Sequence, residues 1–335
     1  MNQATMQALV VETPAGPFER KTLPRPEAAA GQVLVRIHAS GINPLDTKIR
    51  AGRADHAQQA LPAVLGIDLA GVVEAVGEGV SGFAPGDAVY GMTGGVGGVQ
   101  GSLAEYAAVD AALLAKAPAN WSLREAAALP LVFITAWEGL VERAQVRQGQ
   151  KVLIHGGAGG IGHVAIQLAR ARGAEVYATA SAANLEVVRA LGATPIDYTT
   201  TTVEQYVAEY TGGEGFDIVF DTVGGSTLDA SFVAARTYGG HVLSALGWGT
   251  HKLAPLSFRA ATYSGVFTLR PLLTGKGRTR HGEIMAEATK LADAGLLRVR
   301  VDERRFHFDN VAEAHALVEA GDGRGKLVVE VITAA

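Results

Sequence analysis

The sequence predicts an α/β protein in two parts, one of them a doubly wound parallel sheet covered by helices on both faces. Three observations carry this. The chain has 335 residues, beyond the roughly 250–300 at which a single core usually stops growing. From about residue 125, short apolar runs alternate with helical patterns, which is the signature of strands that pair in parallel through crossover helices. The glycine-dense stretch HGGAGGIGH, residues 155 to 163, follows the first of those runs.

The first third is β-rich. QVLVRIHASG alternates and then breaks at glycine, and LAGVVEAVGEGV with GDAVYG forms further short runs punctuated by Gly. Between them NPLDTKIRAG reads as one or two helical turns, with Asp46 placed to cap it and Gly52 to end it. Residues 91 to 102, GMTGGVGGVQGS, read as a loop. Strands of the parallel sheet are expected at 151–155, 175–180, 194–198, 216–221, 241–246 and 262–267. After the first of these, Ile161, Val164, Ala165 and Leu168 share one helix face. Beyond residue 268 the character is mixed, and KLVVEVI has the length of one more strand.

Within the glycine stretch, GAGGIG satisfies G-x-G-x-x-G through Gly157, Gly159 and Gly162, with Gly160 and Ile161 inside it. A plain strand-to-helix turn is the competing reading, but a strand before, an amphipathic helix after and a second strand at 175 make one βαβ unit. The first glycine is then expected to make the tight turn, the second to let the main chain approach a pyrophosphate, and the third to let helix and strand pack closely. The helix start offers N–H donors and a positive dipole end to phosphate. An NAD site normally closes the second strand with Asp or Glu. Here the strand runs out through Ser181 and Asn184, and the first acid, Glu186, lies in the next helix. Absence of that carboxylate favours NADPH as cofactor, with Ser181 as the 2′-phosphate contact, a role compatible with its being a helix N-cap. Val223 with Gly224, Leu246 with Gly247, and Phe267 follow later strands at the sheet edge where ligands of such folds lie.

Composition limits the function classes. Lys and Arg number 29 against 33 Asp and Glu, a net charge of −4 spread along the chain, which is no footprint for nucleic acid or an anionic membrane. There is no cysteine, so thiolate chemistry and cysteine-based metal sites are excluded. His38, His155 and His163 read as strand, turn and helix-surface residues, and no metal site is expected. The N-terminal stretch has no signal-like leader and no apolar run has membrane-span length, so a cytoplasmic location is expected.

The glycine turn, together with GINPLDTKIRAG, LPAVLGIDLAGVVEAVG, GDAVYG, ALPLVFITAWEGL, FDIVFDTVGG and GKLVVEV, resembles the zinc-free quinone oxidoreductase (zeta-crystallin-like) branch of the medium-chain dehydrogenase/reductase superfamily. The resemblance runs from about residue 6 to the end. It implies a GroES-like (chaperonin-10-like) β-rich catalytic domain from residues 1–125 and 268–335, a Rossmann domain from 126–267, and an active site in the cleft. It also implies a homodimer through the last Rossmann strand. Where zinc-dependent relatives have a ligand cysteine this chain has Asn43, and where they have Gly-His-Glu it has Gly66-Ile67-Asp68. Without a Lewis acid the acceptor must already be electrophilic, so hydride transfer from NADPH to a quinone or an α,β-unsaturated carbonyl is expected.

By the same resemblance Asn43 would donate to the acceptor carbonyl, unless it only shapes the turn before Pro44. Lys48 stands where many relatives have tyrosine. It would stabilise a developing enolate if it lay in a partly dry cleft, or it is a solvated surface lysine. Thr135 would meet the nicotinamide ribose or is a helix-start residue, and Tyr198 would lie near the adenosine phosphate or is a strand-edge tyrosine. Lys326 would be a cofactor-side lysine or a surface charge. Asp68 is expected to be structural, Trp137 to be core, and Trp248 to be free to wall an acceptor pocket. Enoyl-thioester reduction is the second enzymatic reading, with Lys276, Arg278 and Arg280 as a thin basic rim. A catalytically silent NADPH-binding protein of the same fold is the third.

Overall fold

A computed structural model describes residues 4–332. Two compact units make up the chain. One comprises residues 1–131, 269–295 and 299–335, and the other residues 132–268 with 296–298.

The first unit is antiparallel. Its long strand Gln32–Gly41 pairs along one side with Asp68–Val76, which continues to Ala88–Met92 and Ala115–Lys116. Its other side is shared, with Tyr106–Asp110 beside residues 32–36 and Val328–Glu330 beside 39–41. Alternation puts Val33, Val35 and Ile37 inward against Leu69, Val73, Val89 and Val109, all buried. Such burial stabilises by about 2 kcal/mol per large aliphatic side chain. The strand Val328–Glu330 thus lies directly beside Ala39–Gly41, and Leu327 just before it accepts from Ile42 N–H at 2.9 Å. A separate three-stranded sheet places Thr5–Val11 between Phe18–Pro24 and Ala63–Val64.

The second unit is a six-stranded parallel sheet of Lys151–Ile154, Glu175–Ala180, Thr194–Asp197, Ile218–Asp221, His241–Ser244 and Thr262–Gly265. In chain order these strands stand 3-2-1-4-5-6, the doubly wound Rossmann arrangement, whose order reverses beside the first strand. The four inner strands are buried nearly throughout, as expected for a sheet covered on both faces, whereas the two outer strands, Thr194–Asp197 and Thr262–Gly265, are largely not. The sixth strand is the edge: Tyr263 is partly exposed and only the fifth strand pairs with it among the described residues.

Candidate functional site

The functional side chains fall into two groups, one in each unit. In the second unit they line the carboxyl ends of the parallel strands. The first strand ends at Ile154, and the turn that follows belongs to Gly156, whose φ is +71°. That left-handed conformation is one that glycine adopts without strain. The tight turn is therefore made one residue before the hexamer, which corrects the role expected of Gly157. Gly157 instead gives close packing: a Cβ there would stand 2.6 Å from the Cβ of Ala178 on the second strand. Gly162 does the same at the helix start, where a Cβ would stand 2.1 Å from the Gly156 carbonyl oxygen. Gly159 and Gly160 are exposed, Ile161 is half-buried, and a Cβ on Gly159 would meet only the Gly156 oxygen at 3.1 Å. No side chain caps the helix Gly162–Ala171. An uncapped helix start behind exposed glycines suits the pyrophosphate of a dinucleotide, so the residues present fit such a cofactor.

The neighbouring strand ends are held by one carboxylate. Asp221, fully buried, accepts from the N–H groups of Val223 (3.0 Å) and Gly224 (2.9 Å) through Oδ1 and from the Ser244 hydroxyl (2.7 Å) through Oδ2. Ser244 Oγ in turn accepts from Leu246 N–H at 3.1 Å. The loops carrying Val223 and Leu246 are thus fastened to one another, and Gly224 passes so near Leu246 that a Cβ would come within 2.7 Å of its oxygen. Beside them His155 is buried, its Nδ1 lying 3.1 Å from the Thr179 hydroxyl. Burial drives its pKa down to about 4 against the pull of Asp221, so the ring is neutral at physiological pH. Sequence reasoning missed Asp221 and Ser244. The available signal was an aspartate two and three residues before loop N–H groups, the pattern of a side chain that caps its own turn.

The other residues of this unit are placed as follows. Ser181 begins the 3-10 turn Ala182–Asn184, and its hydroxyl accepts from Asn184 Nδ2 at 3.2 Å. Glu186 points to Arg189 in the next helix. Tyr198 is 59% exposed after the third strand. Thr135 is buried well inside the helix Pro130–Trp137, not at its start, because Pro130 opens that helix. Trp137 is core, packed on Phe133 and under the Arg172 guanidinium. Trp248 is more than half exposed and meets the Phe267 ring edge-on at 6.3 Å. His163 is buried, with Nδ1 3.0 Å from the Gly159 oxygen, and so is not a helix-surface residue.

In the first unit the site is a buried polar cluster around the helix Pro44–Arg50. Asn43 is its N-cap, and Asp46 is the third helical residue, whose carboxylate accepts from the Asn43 main-chain N–H at 2.8 Å. Asp46 thus closes the capping box from inside and is not the cap itself. Its other oxygen accepts from Ile67 N–H at 3.1 Å. Asp68 accepts from Asn43 Nδ2 (2.9 Å) and from Leu131 N–H (2.9 Å), the structural role expected of it. Lys326 is buried, donating to the Ile42 carbonyl (2.8 Å) and to Asn43 Oδ1, so it is no surface charge. Burial pushes Asp46 up to about 7 and Asp68 up to about 6, and pulls Lys326 down, in each case outweighing the attraction between the opposite charges. Lys48, on the same helix, is exposed, so its own unit does not supply a dry setting for it.

These residues do not suit zinc. Asn43's oxygen already faces an ammonium, the Ile67 side chain has no ligand atom, and no three His, Cys, Asp or Glu side chains among the described residues could hold a metal ion. The thin basic rim is largely neutralised: Arg278 pairs with Asp110 at 3.0 Å and Arg280 with Glu283 at 2.8 Å. A depression of about 650 Å³ bordered by His38, Arg124 and Glu330 contains none of the expected site residues, and Arg305 already holds its glutamate. No helix among the described residues is long and apolar enough to cross a membrane.

Comparison with known proteins adds the family. The alcohol dehydrogenase GroES-like domain matches residues 29–119, and the zinc-binding dehydrogenase family matches residues 191–329. The chain is 36% identical over 315 residues to 2-methylene-furan-3-one reductase of Solanum lycopersicum, covering 92% of this chain and 74% of that one. Identity is also 36%, over 312 residues, to the chloroplastic NADPH-dependent alkenal/one oxidoreductase of Arabidopsis thaliana, covering 91% and 73%. It is 37% identical over 310 residues to the spectinabilin polyketide synthase system protein NorB of Streptomyces orinoci, of which this chain spans only 14%. Among solved structures, an alcohol dehydrogenase superfamily protein from Novosphingobium aromaticivorans superposes with a TM-score of 0.96 at 59% identity, covering 98% of this chain and all of that one.

Proposed function

The chain belongs to the medium-chain dehydrogenase/reductase superfamily, in its quinone oxidoreductase-like branch, and from that membership we propose that it is an NADPH-dependent, zinc-independent reductase of α,β-unsaturated carbonyls and quinones. The observation that carries the reading is the pairing of an uncapped glycine cradle with a polar cluster built on an ammonium and an amide in place of metal ligands.

The bound coenzyme supplies hydride to the β-carbon of the conjugated acceptor. Everything else falls to the chain. Gly156, Gly157 and Gly162 hold the turn open for the pyrophosphate, and Gly159, Gly160 and Ile161 offer main chain to it. Ser181 and Asn184 face the 2′-phosphate without a repelling carboxylate, and Tyr198 covers the adenosine side. Val223, Leu246 and Phe267 present loop main chain to the nicotinamide, and Thr135 serves its ribose. As negative charge develops on the acceptor oxygen, a donor is needed. Asn43 Nδ2 has two hydrogens and Asp68 takes one, so one remains. The Lys48 ammonium is the second donor and the proton source for the enolate. A small apolar acceptor needs no charged partner, and the sixth strand is the surface by which two copies would pair.

The test is a steady-state screen of NADPH and NADH against enones, quinones and enoyl thioesters on metal-stripped enzyme. Turnover of enones or quinones with NADPH is expected. Loss of activity on chelation with recovery on added Zn²⁺ would overturn the reading, and a strong preference for enoyl thioesters would move it to enoyl-thioester reduction.

A further inference from the structure

Lys326 is pinned before its side chain is considered. Its N–H donates to the Arg300 carbonyl at 2.7 Å, and its own carbonyl accepts from Asp302 N–H at 2.9 Å. From that fixed start the side chain runs inward, and with 5% of the residue exposed the ammonium meets Ile42 O and Asn43 Oδ1 in place of water. Burying an ammonium and ordering its four-carbon stem both oppose folding. Two buried carboxyl groups, Asp46 and Asp68, supply the compensating field.

The amide between these charges has two nearly isosteric orientations, and only its partners choose between them. An ammonium can only donate and a carboxylate can only accept. With Oδ1 toward Lys326 and Nδ2 toward Asp68, both bonds form. Turned over, the amide would set N–H against ammonium and oxygen against carboxylate, losing both bonds and adding two repulsions.

We propose that Lys326 is a positioning residue: its buried ammonium locks the Asn43 amide in the single orientation that leaves an N–H for the acceptor oxygen, and Lys326 itself touches neither acceptor nor coenzyme. This rests on Asn43 being the amide that serves the acceptor, and it gives the lysine a role in turnover separate from coenzyme binding.

The chain has no cysteine, so Lys326→Cys carries a single thiol, which 2-bromoethylamine converts under denaturing conditions, before refolding, into a lysine isostere. In Lys326→Cys, kcat should fall by about 10–100-fold, the usual loss when a supporting partner is removed. NADPH affinity should stay within about twofold, and aminoethylation should restore most of the rate. A second readout needs no turnover. The only asparagines are Asn2, Asn43, Asn120, Asn184 and Asn310, so in ¹⁵N-asparagine-labelled protein the Asn43 side-chain pair is assigned by its absence in Asn43→Ser. That pair should shift and exchange about tenfold faster in Lys326→Cys and return on aminoethylation. An unmoved amide signal, a variant with undiminished kcat, no recovery on aminoethylation, or NADPH affinity falling in step with kcat would each overturn the proposal. The last of these would make Lys326 a coenzyme-side group. If the wild-type enzyme reduces no acceptor, the reading of the reaction fails separately, and the amide signals alone decide whether Lys326 orients Asn43.

Discussion

Along the carboxyl edge of the parallel sheet the turn after the first strand exposes the glycines Gly159 and Gly160, and the buried carboxylate of Asp221 serves loop N–H groups and a hydroxyl. Around Asn43 the reverse holds: two carboxyl groups, an ammonium and an amide are all side chains and all buried. On the proposed reading the first region would hold a phosphate chain through its backbone, which many sequences can supply. The second depends on each side chain, since removing one member leaves a buried charge without its partner. On the proposed reading, one region binds the coenzyme and the other holds a donor in a fixed direction.

The largest test of this contrast is Gly162→Val in the binding region. Its Cβ would collide with the Gly156 carbonyl, so the turn must shift. NADPH affinity, read by nucleotide fluorescence on protein checked to be folded by circular dichroism, should fall by about two orders of magnitude, near 2.7 kcal/mol, and thermal stability should fall as well, because the colliding atoms are main chain. Unchanged affinity would show that the turn does not carry the coenzyme.

Next is Asp221→Ala, which strands the N–H groups of Val223 and Gly224 and the Ser244 hydroxyl. Denaturant unfolding should report a loss of about 2–3 kcal/mol. A loss below about 0.5 kcal/mol would mean the loops hold themselves.

The pH dependence separates the two regions directly. Asp68, raised to about 6 from 3.8, binds its proton more tightly folded than unfolded. Its contribution to stability is therefore complete below about pH 4 and is lost as pH rises through 6. The stability of the wild type relative to Asp68→Asn should fall by on the order of 2 kcal/mol between pH 4.5 and 7.5. A gap that stays constant would place Asp68 in a wetter setting than the structure does. His155, held near 4, works the opposite way, its contribution being lost as pH falls below 6.5 toward 4.

Lys48→Met should lower turnover by about tenfold, or 1.4 kcal/mol, with NADPH affinity nearly unchanged. Undiminished turnover would remove this exposed lysine from the chemistry. Smallest is Ser181→Ala, which should reduce the preference for NADPH over NADH by about threefold, the value of one hydrogen bond that stays open to solvent. An unaltered ratio would assign Ser181 to capping alone.

How much was legible in the chain follows the same division. The six apolar runs, their crossover helices and the glycine turn are local patterns, and local pattern suffices where main-chain geometry does the work. Even there the assignment of the tight turn to Gly157 was one residue off, because φ at Gly156 is not written in the hexamer. Asp46 looked like a helix cap because Asp is a good one; only the observed helix start makes it the inner half of a box. Lys326, in RGKL before a strand, reads as a cofactor-side lysine or a surface charge, and nothing within ten residues announces that it is buried.

The amino-acid sequence by itself determined the doubly wound sheet, the glycine cradle, the missing carboxylate after the second strand and the lack of thiolate ligands. Each of these depends on residues near one another in the chain. Tertiary structure alone decided that residues 43, 46, 68 and 326 share one dry site and that Asp221 fastens two loops. The protonation and direction of a buried polar group depend on partners that strand pairing brings from the far end of the chain, and no local pattern encodes that distance.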